Sequence, residues 1–314
     1  MKHFFYTVFG GIFAITTGIG VAYGGAWAWN QGMPYLASVV TSALAADDGE
    51  TLVDGLRRTV RFSAHEEEDD STISSVALHA PDESITARGY IVMDLSTNTI
   101  VSEKNSNTLM PIASVTKLVT AIVARRHMSG NQRITMTDRI IATYGNTAGF
   151  EKGETMLADD LLYPLLMVSS NDAAEAFAGE YGRKNFLREM NSVAQEIGAY
   201  RTYFADPSGL SPSNVSTPSD LALIIDWIRK NDPRIIELTS LKSKTVRAHT
   251  WTNPTHFLSW SQYIGGKNGY IPEAGRTAVS LFDMGPDRKI YAIVVLGSAS
   301  RDTDMLKLIG KIDE

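Results

Sequence analysis

From Phe4 to Ala46 the chain carries no Asp, Glu, Lys or Arg. An uncharged, largely apolar stretch of this length exceeds the ~20 residues that a helix needs to cross a hydrocarbon core of about 30 Å. The stretch is therefore expected to be a membrane or export segment and not a buried core helix. Lys2 ahead of it and Trp27 and Trp29 within it fit a cytoplasmic positive end and an aromatic belt at the outer interface. Two versions remain open: a retained signal anchor over residues 1–46, or a signal cleaved near the small-residue run Ala43-Leu44-Ala45-Ala46. The anchor is favoured because the apolar stretch is longer than the ~7–15 residues of a signal core. Either version places the rest of the chain outside the cytoplasm, at the cytoplasmic membrane or exported.

Residues 47–87 have another character. They hold 11 acidic and 3 basic side chains, with the run His65-Glu66-Glu67-Glu68-Asp69-Asp70 among them. Like charges at this density repel one another, so the segment reads as a flexible acidic linker. His65-Glu66 lacks the second histidine four positions on that a helical zinc motif requires. The whole chain has a net charge of −6, but without the linker and Lys2 residues 88–314 carry only +1. No basic surface for nucleic acid is indicated. The absence of cysteine excludes disulfides and thiolate chemistry.

Residues 88–314 read as one globular domain. ARGYIVMDL and TIVSEKN, separated by Ser96-Thr97-Asn98, form a candidate hairpin, as do RTAVSLFDM and KIYAIVVLG around Gly285-Pro286-Asp287. Between them apolar residues recur at helical spacing over 114–126, 158–168, 173–180, 185–197 and 218–229, and a short helix closes the chain from Asp302. Strands at both ends with helices between predict an α+β domain whose antiparallel sheet joins chain-distant strands, with an all-helical region inserted.

The chemistry begins at Ser114, three residues before Lys117 at the start of a helix, where hydroxyl and amine share one face. A lysine whose ammonium is destabilised can act as general base to a serine. Alone, Ser-x-x-Lys is unspecific, since a helix cap followed by a solvated lysine has the same spelling. Two further elements follow in order. Ser169-Ser170-Asn171 ends the apolar run LLYPLLMV, and Gly265-Gly266-Lys267-Asn268-Gly269-Tyr270 precedes the last hairpin.

Together these resemble the Ser-x-x-Lys, Ser-x-Asn and Lys-Thr-Gly set of the penicillin-recognising serine enzymes. The blocks PIASVTKLVTA, SSNDAA, YFADPSGL with STPSDLALI, GGKNGYIPEAGRTAV and VVLGSASRDTDML narrow the resemblance to the D-alanyl-D-alanine carboxypeptidase family of low-molecular-mass penicillin-binding proteins. The resemblance implies a β-lactamase-like α+β fold and a cofactor-free, metal-free serine peptidase that trims peptidoglycan stem peptides ending in D-Ala-D-Ala and is acylated by β-lactams. It implies Ser114 as nucleophile, Lys117 as its proton acceptor and Ser169 as a proton relay. Asn171 would bond Lys117 and the substrate amide. Lys267 would attract the substrate carboxylate and lower the Lys117 pKa, and Gly269 would let the strand approach the ligand. The amides of Ser114 and Tyr270 would form the oxyanion hole, and Arg301 would receive the terminal carboxylate unless it is simply an exposed arginine at a helix start. Many relatives carry a further β-rich domain and a C-terminal amphipathic anchor; none is expected here, so the N-terminal segment would supply the tether.

The sequence departs from the family pattern at two positions, Asn268 and Ile271. Asn268 stands where the third motif has a threonine, whose hydroxyl in the family donates to the substrate carboxylate, and Ile271 where the family has a second threonine. An Asn amide could donate instead, and the change leaves open a weakly active or purely binding relative. Carboxypeptidase and endopeptidase action are equally compatible with the motifs. A β-lactamase is disfavoured because no Glu-x-x-x-Asn element follows Asn171. A Ser/His/Asp hydrolase is disfavoured by the lack of a Gly-x-Ser-x-Gly elbow. His249 and His256 are expected at the surface, Trp251 and Trp260 in packing, Asp172 as a helix N-cap, and Asp206-Pro207-Ser208-Gly209 as a structural turn.

Overall fold

A computed structural model describes residues 84–312 apart from Asn146 and Pro286. The expected membrane segment and almost all of the expected linker lie outside the described residues. The folded domain nevertheless starts before residue 88. Ile85 and Ala87 are buried, and the Thr86 hydroxyl donates to Asp304 at 2.7 Å.

The chain opens with the hairpin β1 (Gly89–Asp94) and β2 (Thr99–Lys104) and a short β3 (Met110–Pro111). A 3-10 turn, Ala113–Thr116, leads into α1 (Lys117–His127). Then come β4 (Arg133–Thr135), α2 (Asp138–Ile141), β5 (Thr155–Leu157), and the helices α3 (Ala158–Met167), α4 (Asn171–Tyr181) and α5 (Arg183–Ile197). After β6 (Val215–Ser216) follow α6 (Pro218–Asn231), α7 (Pro233–Ser240) and the ribbon β7 (Ser243–Val246) with β8 (His249–Thr252). A 3-10 turn over His256–Ser259 precedes β9 (Tyr263–Ile271), β10 (Gly275–Met284), β11 (Lys289–Ser298) and α8 (Arg301–Gly310).

The expected α+β architecture is present. The main sheet has the order β2-β1-β11-β10-β9, all neighbours antiparallel. Its centre joins the two ends of the domain, with Gly89 opposite Leu296 and Asp94 opposite Tyr291. The run IYAIVVL is continuously apolar because both faces of β11 are covered. Ala292, Val294 and Leu296 belong to the large core shared with the helices between residues 117 and 240, whereas Ile293 and Val295 pack with Met305 and Leu308 of α8. Burying each of the larger of these side chains contributes roughly 1.5–3 kcal/mol, so this three-layer packing holds the edge strand β9 against the 3-10 turn that carries Ser114.

The pattern of residues announces neither the short elements β3, β4, α2, β5 and β6 nor α7, the β7–β8 ribbon and β9 itself. The β9 sequence, YIGGKNGYI, has three glycines and no sustained alternation, so its strand character comes from pairing with β10.

Candidate active site

Ser114 lies in the 3-10 turn and is partly accessible, while Lys117 directly behind it is fully buried. The Lys117 Nζ donates to Ser114 Oγ at 3.0 Å, to Asn171 Oδ1 at 2.7 Å and to the Ser208 carbonyl at 2.5 Å. Three acceptors match the three hydrogens of an ammonium. Burial, and secondarily the charge of Lys267, nevertheless push its pKa well below the usual lysine range, with Asp206 opposing. A neutral amine in this position keeps a lone pair that can take the Ser114 proton.

The third acceptor comes from the turn read as structural. Asp206 Oδ1 accepts from the amides of Ser208 and Gly209 at 2.6 and 2.7 Å, and Oδ2 from the amide of Ser211 at 2.6 Å. Buried Asn214 ties this turn to the nucleophile's turn, donating to Thr116 Oγ1 and to the Asp206 carbonyl, both at 2.9 Å. Gly209 sits at φ +84°, and a Cβ there would lie 2.0 Å from the Ala113 carbonyl oxygen. Only glycine allows that approach. Ala113 itself has φ +49°, a left-handed conformation that costs an alanine about 1–2 kcal/mol and that its neighbours must hold in place.

Ser169 links α3 to α4, also at positive φ, 61°. Ser170 then caps α4, its Oγ accepting from the Ala173 amide at 3.1 Å. The expected N-cap, Asp172, is instead inside the first helical turn, fully buried, with neither carboxylate oxygen hydrogen-bonded. Burial raises its pKa to about 6. Asn171 uses both ends of its amide, accepting from Lys117 and donating to the Tyr144 carbonyl at 2.8 Å. No motif marked Tyr144, because a backbone carbonyl leaves no trace in residue type.

On the opposite wall, the Lys267 Nζ donates to Ser169 Oγ at 3.0 Å and to the Asn268 carbonyl at 2.8 Å. Burial, and then the charge of Arg301, lower its pKa to about 7. Gly269 is needed for packing within the protein itself. A Cβ there would lie 2.7 Å from the Ser114 amide nitrogen and 2.6 Å from Thr277 Oγ1, so the glycine lets β9 press against the nucleophile's turn. Tyr270 is 60% exposed, with the Arg276 guanidinium 5.7 Å from its ring centre. Asn268 is half-buried, its Nδ2 3.5 Å from Thr255 Oγ1. Arg301 opens α8, is only 17% exposed and donates to Asp302 at 2.9 Å. It is therefore not an exposed helix-start arginine.

The structure thus gathers Ser114, Lys117, Ser169, Asn171 and Lys267 in one cluster beside β9, with Arg301 within electrostatic range of Lys267. His256 is exposed as expected, but His249 is half-buried, stacked on Trp251 and 2.6 Å from Glu154 Oε1. Trp251 is buried and donates to the Ala148 carbonyl, and Trp260 packs edge-on against Phe257, so both are packing residues.

Comparison with known proteins points the same way. A family model described as D-alanyl-D-alanine carboxypeptidase matches residues 74–300. The D-alanyl-D-alanine endopeptidase of Haemophilus influenzae is 32% identical over 205 residues, covering 62% of this chain and 69% of that protein. The D-alanyl-D-alanine carboxypeptidase of Streptomyces sp. strain K15 is 28% identical over 251 residues, covering 72% and 86%. The crystal structure of penicillin-binding protein D2 from Listeria monocytogenes in its cefotaxime-bound form superposes with a TM-score of 0.67 at 25% identity, covering 74% of this chain and 100% of that one.

Proposed function

The chain belongs to the D-alanyl-D-alanine carboxypeptidase family of serine-type peptidases, and from that premise we propose that Ser114 is its acylated nucleophile and Lys117 the general base. The observation that carries this assignment is the fully buried Lys117 amine, depressed in pKa and 3.0 Å from the Ser114 hydroxyl.

In the proposed reaction the Ser114 proton passes to the neutral Lys117 amine as Oγ bonds to the carbonyl carbon between the two terminal D-alanines. The amides of Ser114 and Tyr270 stabilise the resulting oxyanion, usually among the largest contributions to such catalysis. The carbon–nitrogen bond then breaks, and the proton held by Lys117 reaches the departing amine through Ser169, which Lys267 orients. Water hydrolyses the acyl-serine and regenerates the hydroxyl. Lys267, Asn268 and Arg301 hold the carboxylate of the leaving D-alanine. A β-lactam would enter the same sequence and stall at the acyl-serine.

The test is D-alanine release from a peptide ending in D-Ala-D-Ala, followed by mass spectrometry. We expect release by the wild type, none above background by Ser114→Ala, and a labelled penicillin attached to Ser114. Labelling at another residue, or release that survives Ser114→Ala, overturns the assignment. The similarity to the Haemophilus endopeptidase supports a second reading, cleavage of D-alanyl crosslinks. A crosslinked muropeptide dimer offered beside the linear peptide decides which is cut faster. The uncharged Phe4–Ala46 stretch supports a tether that holds this activity at the outer face of the cytoplasmic membrane. Recovery of the full-length chain in the washed membrane fraction tests that location.

A further inference from the structure

The hydroxyl that the family motif carries at position 268 is missing from this chain, and a different hydroxyl stands beside the gap. Thr255 Oγ1 lies 3.5 Å from Asn268 Nδ2. This is the long end of hydrogen-bond range, so neither group is committed to the other. Each keeps donating capacity: Asn268 a second amide hydrogen, and Thr255 its own hydroxyl hydrogen.

The position of Thr255 is built into the fold. Its amide donates to Asn253 Oδ1 at 3.1 Å. Asn253 is 7% exposed and donates through Nδ2 to the Thr239 carbonyl at 2.8 Å. Thr239 Oγ1 in turn accepts from the Gly266 amide at 2.9 Å, one residue before Lys267. Thr255 is thus referenced through Asn253 and Thr239 to the strand that carries Lys267 and Asn268. The cross-strand partner of Asn268 is Ala278, which belongs to the cluster on the α8 side of the sheet. The Asn268 side chain therefore lies on the face of the sheet from which α8 presents Arg301.

We propose that Thr255 is a further substrate-binding residue which, paired with Asn268, replaces the motif threonine as the neutral hydrogen-bond donor to the terminal carboxylate of the peptide. Asn268 donates to Thr255 Oγ1, which polarises that hydroxyl, and the hydroxyl donates to the carboxylate beside Arg301. Asn268 turns its second amide hydrogen to the same anion. The proposal rests on the peptidase reading above, and its test has an arm that does not require peptide turnover.

Wild type, Thr255→Val, Thr255→Ser, Asn268→Thr and the Thr255→Val/Asn268→Thr double variant are compared in three assays: KM for a D-Ala-D-Ala peptide, the second-order rate of acylation by penicillin, and labelling of Ser114 by a fluorophosphonate. Peptide and penicillin carry the carboxylate, and the fluorophosphonate does not. Thr255→Val should raise the peptide KM and slow penicillin acylation by about tenfold, the usual weight of a hydrogen bond to a charged group. Its fluorophosphonate labelling should stay within about twofold of wild type. Asn268→Thr, which puts a hydroxyl back at the motif position, should recover most of the loss in the Thr255→Val background, and Thr255→Ser should show little loss. An unchanged penicillin rate in Thr255→Val overturns the proposal, as does a loss shared equally by the fluorophosphonate or one that Asn268→Thr fails to rescue. Absence of peptide cleavage by the wild type would count against the peptidase reading alone, because the penicillin arm still measures Thr255.

Discussion

Lys117 and Lys267 are both buried amines whose pKa burial lowers, yet their surroundings differ in kind. Lys117 is closed in by three acceptors, one of them the carbonyl of a turn fastened by Asp206 and Asn214. Lys267 has two acceptors, and the neighbouring polar groups are less fully engaged: Asn268 lies 3.5 Å from Thr255, and Arg301 makes one side-chain hydrogen bond, through Nε to the adjacent Asp302. One wall is assembled before any ligand arrives. The other keeps donors in reserve. The difference suits the proposed chemistry, since a base must meet its serine in one geometry, whereas a carboxylate can be received by donors that close on it.

Removing the closed wall should have the largest effect. Lys117→Ala is expected to lower the rate of penicillin acylation by about 10³-fold or more, the range of a general base in such steps. Gly269→Ala comes next, because its Cβ would fall 2.7 Å from the Ser114 nitrogen. We expect about a hundredfold loss in acylation from misplacing the nucleophile, with the sheet intact by circular dichroism. Asp206→Ala deprives three backbone amides of their acceptor and should cost about 2–4 kcal/mol in urea unfolding, with acylation slowed as the Ser208 carbonyl loosens.

The open wall should respond more gently, and with pH. Peptide kcat/KM should fall on the acid side as Lys117 takes up a proton, and on the alkaline side as Lys267 loses its charge near pH 7. Because the Arg301 charge lowers the Lys267 pKa, Arg301→Gln should move the alkaline limb to higher pH by less than about one unit. The same variant should raise KM about tenfold through the lost carboxylate partner. An alkaline limb that stays put would mean that the two charges do not interact.

Asp172 belongs to neither wall and should leave acylation unmoved. Its folded pKa of about 6 stands above the ordinary carboxylate value of 3.8, so the folded state binds the proton more tightly and stability falls as pH rises from about 4 to 6. Asp172→Asn should therefore add up to about 3 kcal/mol to unfolding at pH 8 and nothing below pH 4.

Much of this molecule was legible in its residues, and the remainder was hidden for definable reasons. Helices with apolar spacing, such as Pro218–Asn231, and hairpins with turn residues, such as Gly89–Lys104, follow local rules, so pattern located them within a few residues. Strand β9 has no such pattern, because its glycines serve close contacts with Ile236 and Thr239, with Val279 and Ser280, and with the Ser114 turn far earlier in the chain. Asp172 was misassigned because Ser170 competes for the same cap and the chain leaves Ser169 in a left-handed conformation. His249 was expected in solvent, and no local rule announces a partner such as Glu154 nearly a hundred positions away.

The sequence by itself determined the chemical types: two serines, two lysines and an asparagine in motif order, an asparagine in place of a threonine, and an uncharged first segment. These are covalent facts that need no fold to be read. Only the tertiary structure decided what those groups meet. The Ser208 and Tyr144 carbonyls and the Asp206–Asn214 brace reach the site through contacts between residues dozens of positions apart, and the Thr255 hydroxyl meets Asn268 from outside its own strand. Such contacts form only when the two ends of the chain close one sheet, because burial on both of its faces fixes which strand edge lies beside Ser114.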